Sequence, residues 1–218
     1  MVAVRELPRH MFHCADAVNL DSIHRVGLLS TNELLRLGCF GSTTEALVRA
    51  HRPRGTTLPS GVFIRDQTPM PPQSLSWCLD GGISADEWYH VVNDHVFFWL
   101  SRERARRHLN ALRKRAQVLL TVDVWSLVDA YERAVYLTPF NIGNARRRPA
   151  RRGRRTLVPL ASWRDSAWRM EAEPGGAERA ARHPPVELLV KEAIPDISRF
   201  IVSSERVEPE ADVILPCV

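Results

Sequence analysis

The stretch from Met11 to Ser30, MFHCADAVNLDSIHRVGLLS, constrains the chain more than any other. Apolar Met11 and Phe12 run into His13, so a strand is expected to end at the histidine. Asp16 or Asn19 can then cap a helix of about two to three turns, with Val18, Leu20, Ile23 and Val26 as its apolar face. Gly27 stands where a helix takes a left-handed stop, and Leu28 and Leu29 resume the apolar pattern. A strand, a short helix and a tight exit would place a ring nitrogen at the mouth of a cleft. The helix N-terminus beside it would favour an anion. The same spacing also accommodates a satisfied or surface histidine.

At 218 residues the chain can bury one sizeable core, so a single domain spanning 1–218 is expected. No apolar run reaches membrane-spanning length and the N-terminus has no signal-peptide core, which gives a cytoplasmic protein with no membrane partner as the expectation. Cys14, Cys39, Cys78 and Cys217 are widely spread, with no pair at metal-ligand spacing, so neither a zinc site nor a disulfide framework is read from them. A thiol nucleophile at Cys14 lacks a base or acid placed by sequence to activate it.

Further along, 31–50 reads as helical and 51–61 as a loop with two prolines and two glycines. Val62–Ile64 is strand-like and runs into the polar triplet Arg65-Asp66-Gln67, either a turn or a site, before Pro69, Pro71 and Pro72 forbid regular structure. Ser84-Ala-Asp-Glu87 is a capping box for a helix carrying Trp88 and Tyr89. Val96–Leu100 is a continuous apolar run, expected as a central strand buried on both faces. A helix from Ser101 to about Arg115, a strand at Val118–Asp123, a helix at Ser126–Arg133 and a strand at Ala134–Leu137 follow. Asn141–Asn144 is a turn. Residues 146–155 then hold seven arginines in ten positions. Such a run is expected in an exposed loop, either merely solvated or clamping phosphates. No aromatic residue is interleaved to stack bases. Residues 171–184 read as another flexible segment. Pro185–Val190 is a strand interrupted by Glu187, an acid that sits either on the solvent face of an edge strand or at a cleft. Arg199–Ser203 is the last strand. Strands and short helices mix without βαβ alternation, which gives α+β as the fold class. No glycine-rich phosphate loop of the Rossmann or Walker type is present.

The pattern His13-x-x-Asp16-x-x-Asn19-Leu20-x-x-Ile23-x-x-x-Gly27-Leu-Leu-Ser30 resembles the opening signature of DarT-like and RNA 2'-phosphotransferase-like ADP-ribosyltransferases. Val186-Glu187-Leu-Leu-Val190, followed by Ile194-Pro195 and Phe200-Ile-Val202, resembles the segment that bears their catalytic glutamate, with valine here in place of alanine before the acid. More closely, the chain is similar to a related bacterial family through Ile64–Met70, Trp88–Trp99 and Thr138–Gly143, so the likeness spans most of the chain. The resemblance implies a pair of antiparallel sheets around a central cleft, with short flanking helices and flexible loops near 51–61, 145–155 and 171–184. It also implies an NAD-dependent ADP-ribosyltransferase, with NAD as co-substrate and nucleic acid as the acceptor, in the manner of a toxin that an antitoxin protein restrains. Glu187 would stabilise the oxocarbenium-like state formed as the nicotinamide–ribose bond breaks. His13 would bind a ribose hydroxyl, with Cys14 and Asn19 nearby. Phe98 or a neighbour would wall the nicotinamide, and Arg65 would pair with the pyrophosphate. Asp66, Gln67, Arg147, Arg148, Arg151 and Arg152 would meet the acceptor. A catalytically silent binding module on the same fold and an NAD-consuming RNA 2'-phosphotransferase are the competing expectations.

Overall fold

A computed structural model describes residues 6–38, 47–112, 114–146, 149–171 and 178–209. In chain order its elements are β1 (His10–Asp16), α1 (Leu20–Val26), β2 (Leu28–Leu29), α2 (Thr31–Leu37), β3 (Thr56–Thr57), β4 (Phe63–Ile64), α3 (Pro72–Cys78), α4 (Ala85–Asn93) and β5 (His95–Trp99). Then come α5 (Arg102–Asn110), β6 (Gln117–Asp123), α6 (Val124–Tyr131), β7 (Val135–Thr138), β8 (Val158–Pro159), α7 (Leu160–Ser166), β9 (Glu187–Lys191), β10 (Ala193–Ile194) and β11 (Ile201–Val207). The class is α+β, built on one antiparallel seven-stranded sheet in the order β11-β6-β1-β5-β9-β7-β8. No helix among the described residues is long and apolar enough to cross a membrane.

The sheet is covered on both faces, which is why its central strands read as unbroken apolar runs rather than alternating ones. On one face Met11, Phe98, Leu120, Leu137 and Leu188 form the main core with α6 and α7. The other face is covered in two separate halves. Helices α3 and α4 bring Leu75, Trp88 and Tyr89 onto Phe97, Leu189 and Tyr136. Helix α5 brings Ala105 and Leu109 onto Phe12, Leu119 and Cys14. Between these two covers lies the seam between β1 and β5.

That seam is where the sheet comes apart. Strand β1 pairs with β6 at seven consecutive positions, from His10↔Asp123 to Asp16↔Gln117. It pairs with β5 at one, Phe12↔Trp99, after which the two strands diverge. In place of the expected pair of antiparallel sheets there is one large sheet, its two parts joined at a single rung.

Several local expectations are corrected. His13 does not end its strand, because the β6 ladder carries β1 on to Asp16. Asp16 caps a 3-10 turn over Ala17–Asn19 by accepting from the Val18 amide. Asn19 stands at the N-cap position of α1 but makes no capping hydrogen bond; its side-chain amide instead makes a two-way bond to the Phe63 backbone, 2.9 Å and 2.8 Å. Of the expected apolar face, Ile23 is buried and Leu20 half-buried, while Val18 in the 3-10 turn and Val26 are exposed. Helix α5 stops at Asn110, well short of Arg115. Helix α2 stops at Leu37, and 39–46 lie outside the described residues, as do Cys39 and Cys217. The 51–61 loop is anchored at one end by Arg52, which is buried, and contains β3 paired to β4.

Gly27 closes α1 with φ of +89°, as its place after the periodic run predicts. A Cβ there would lie 2.4 Å from the Ile194 carbonyl oxygen and from Pro195 Cα, both backbone atoms of the segment that β2 pairs with. Gly27→Ala therefore combines positive-φ strain with a clash that no side chain can relieve. The expected cost is about 2–3 kcal/mol, a fall of several degrees in the thermal midpoint followed by circular dichroism. An unchanged midpoint would mean that β2 and β10 do not meet as described.

Candidate functional site

The divergence of β1 and β5 opens a cleft of two joined lobes, about 480 Å³ and 250 Å³. His13, Cys14, Arg65 and Phe97 line both lobes, so they mark the junction. Glu187 and the 65–70 segment line the larger lobe; Asn19, Gly27 and Ser30 line the smaller. His13, Arg65 and Glu187, far apart in sequence, therefore face one cavity.

His13 fills the opened seam. Its Nδ1 lies 2.8 Å from the Phe97 carbonyl oxygen, and its ring packs 5.5 Å from that of Phe98. A carbonyl only accepts, so Nδ1 carries the proton and Nε2 is left as an acceptor. Burial, with help from the Arg65 charge and against the Phe97 bond, lowers the His13 pKa to about 4. His13 is a neutral acceptor at physiological pH. His108 on α5, which sequence reasoning missed, is lowered to about 4 by burial and by Arg65. Its position in a run of exposed helical charges gave no signal.

Arg65 reaches Nε2 of His108 at 3.2 Å and the side-chain oxygen of Gln117. Both partners are neutral, and among the described residues no carboxylate lies within ion-pair distance of the guanidinium. Burial lowers its pKa, yet arginine stays charged. The cleft thus holds a cation that touches no carboxylate, its charge opposed only at longer range by Asp16 and Asp66. Its backbone is fixed by a buried network: Arg52 donates to the Arg65 carbonyl at 2.7 Å and to Asn93, and Gln67 bonds Arg52 and Asn93 in turn.

Glu187 opens β9, which is an internal strand between β5 and β7, so the edge-strand alternative is excluded. It is 3% exposed. Oε2 accepts from the Ile142 amide and faces the Thr138 hydroxyl, each at 3.0 Å. The Thr138 oxygen is also 2.9 Å from the Phe140 carbonyl. One hydroxyl proton cannot serve both acceptors. When Glu187 is ionised Thr138 donates to it; when Glu187 is protonated it donates to Thr138, which turns to Phe140. Burial raises the Glu187 pKa to about 7, with the Ile142 and Thr138 bonds and the charges of Arg152 and Arg104 opposing. The carboxyl is poised to exchange a proton near neutrality, as a general acid or base requires.

The remaining expected site residues fall differently. The Cys14 thiol points to the Ala105 carbonyl at 3.7 Å, and burial raises its pKa to about 12, so it is wall and not nucleophile. Phe98 is buried in the main core against His13 and lines the larger lobe together with half-buried Phe97 and Trp99, while Phe63 lines the smaller lobe. Gln67 is consumed by its network, and Asp66 bonds Thr68 at the cleft wall. The arginine run is not one exposed face. Arg152 is buried, Arg151 is paired with Asp80 and Arg154 with Glu87. The backbone reason is a parallel bridge from Leu79 to Arg152, which draws the run inward. Arg147 and Arg148 lie outside the described residues. Arg146 lines the larger lobe, with Asn141 and Asn144. Among the described residues no group of three or more His, Cys, Asp or Glu is arranged to hold a metal ion.

Fold and site define an α+β protein whose central sheet parts to form a cleft holding a neutral histidine, an arginine that touches no carboxylate and a glutamic acid whose pKa is raised to about 7. Residues 9–201 match a family of unknown function designated DUF7002, and the chain belongs to it. No curated protein and no solved structure matches the chain.

Proposed function

We propose that this chain is an NAD-consuming ADP-ribosyltransferase with nucleic acid as its acceptor. The observation that carries the reading is the placement of His13, Arg65 and Glu187 around one two-lobed cleft. Each group suits a different part of a dinucleotide. Arg65, without a carboxylate partner, offers a planar fork to the pyrophosphate. His13 Nε2 accepts from a ribose hydroxyl. Glu187 sets a carboxylate beside C1′ of the nicotinamide ribose.

The reaction that fits is displacement at that carbon. The C1′–N bond breaks and its electron pair passes to the pyridinium nitrogen, releasing neutral nicotinamide. Positive charge builds on the ribose, and ionised Glu187 stabilises it electrostatically. A base nitrogen or oxygen of the acceptor bonds C1′, and its proton goes to Glu187. The proton-exchanging carboxyl favours an enzyme over a silent module, which has no use for an acid whose burial opposes its ionisation.

Incubation with NAD and single-stranded or duplex nucleic acid, read as nicotinamide release and a mass gain of one ADP-ribose on the acceptor, tests the reading. Release of nicotinamide with a 2'-phosphate lost from RNA would favour the phosphotransferase alternative. Arg146 supports a phosphate-bearing acceptor, since it stands at the rim of the Glu187 lobe. Arg146→Ala should flatten the slope of log affinity against log salt by about 0.7 on a single strand, the counterions of one phosphate. An unchanged slope would remove Arg146 from the acceptor path.

A further inference from the structure

Arg152 is 2% exposed, although it sits in the most arginine-rich segment of the chain. Backbone bonds hold it there: its amide donates to Cys78 and its carbonyl accepts from Asp80, each at 2.8 Å. The guanidinium packs 5.3 Å from the Phe140 ring and donates through Nε to the Ala150 carbonyl at 3.1 Å. Its Nη1 donates to the carbonyl of Ile142 at 2.8 Å. The amide of that same Ile142, itself fully buried, holds Oε2 of Glu187 at 3.0 Å. Burial lowers the pKa of this guanidinium, opposed by the Cys78 thiol beside it and by the charge of Glu187, the one carboxylate that acts on it among the described residues. A buried cation without a direct carboxylate contact is costly, so its hydrogen bonds and any opposite charge nearby decide whether it is tolerated.

We infer that Arg152 is a positioning residue for Glu187, acting through the Ile142 backbone: it fixes the carbonyl of the residue whose amide orients the carboxylate. The claim about orientation and charge stands on these contacts alone; its consequence for turnover rests on the proposed function. The geometry needs a fork, because Ala150 and Ile142 are reached by different nitrogens, and the single ammonium of lysine does not reproduce that. Other groups that face Glu187 are few. Thr138 shares Oε2, Arg104 on α5 adds a second favourable charge, and burial lowers the pKa of all three histidines that line the cleft, His13, His95 and His108.

The test is a titration of the protein labelled with 13C at glutamate carboxyls and with 15N, using Glu187→Gln to assign the resonance. In the wild type, the Glu187 carboxyl carbon and the Ile142 amide should move together with a midpoint near pH 7. Arg152→Met should raise that midpoint by about one unit, since the opposite charge is gone. Arg152→Lys keeps the charge, so the midpoint should stay within a few tenths. The lost grip on Ile142 should nevertheless lower the rate of nicotinamide release about 10-fold, with the KM for NAD near the wild-type value. An unmoved midpoint in folded Arg152→Met overturns the inference. An Ile142 amide in the wild type that ignores the Glu187 titration overturns it too, and needs no variant to fold. A wild-type protein that releases no nicotinamide sinks the proposed function instead, while the titration still decides the role of Arg152.

Discussion

Glu187→Gln is expected to bind NAD as the wild type does and to release nicotinamide about 10²-fold more slowly or worse. The amide keeps the size of the side chain, and its oxygen still accepts from Ile142 and Thr138. What it lacks is the negative charge, and a well-placed electrostatic group at a charged transition state is worth roughly that factor. The wild-type rate should rise with pH through about 7, as Glu187 loses its proton. The same substitution should change stability in the opposite sense. The folded protein holds the Glu187 proton more tightly than the unfolded chain, whose carboxyl titrates near 4.5. Its contribution to stability is therefore fully present below about 4.5 and lost as pH rises through about 7. The glutamine has no charge to bury, so the variant should match the wild type at acid pH and exceed it above pH 7, by up to roughly 3 kcal/mol. Thermal melts at pH 4.5 and pH 8 read this directly. A variant that turns over NAD normally moves the catalytic role elsewhere; one that is less stable at pH 8 contradicts the buried, ionising carboxyl.

Arg65→Met is expected to weaken NAD binding about 10- to 100-fold, the worth of charge-assisted hydrogen bonds to a phosphate oxygen. Folding stability should change far less. The methionine fills a similar volume, and what is removed is a buried cation paired only with His108 and Gln117. Those two partners lose a donor and Asp16 and Asp66 lose a nearby opposite charge, while the protein no longer has to desolvate a cation. Offsetting terms of this kind leave the thermal midpoint within a few degrees. Calorimetric titration with NAD and a thermal melt on the same sample separate the two effects. A variant that unfolds would make Arg65 a structural residue, and one that binds NAD normally would remove it from the pyrophosphate site.

The local chemistry of the sequence carried a good part of this molecule. Gly27 ends its helix with positive φ because only glycine fits the approach of Ile194 and Pro195. Ser84 and Glu87 form their capping box because both bonds are made within four residues. The run from Val96 to Trp99 reads as a doubly covered strand because sheet burial on two faces removes alternation. Glu187 was legible as an acid breaking an apolar strand, with its two placements left open.

Tertiary structure decided what such patterns cannot hold. Whether Glu187 met water or a cleft depended on β9 lying between β5 and β7, a pairing set by residues 49 and 88 positions away. The parting of β1 from β5 after one rung is not written in either strand alone, since it depends on how each pairs with its other neighbour, β1 with β6 and β5 with β9. His108 joined the site only because α5 packs across β1 and presents one face to Arg65. The arginine run shows the limit most clearly. Composition counts seven like charges and expects repulsion to expose them all. The fold instead spends its described members singly, pairing Arg151 and Arg154 with acids from α3 onward and burying Arg152 behind Glu187. Charge along a sequence is a sum, whereas in the folded protein each charge answers to the one or two groups it touches.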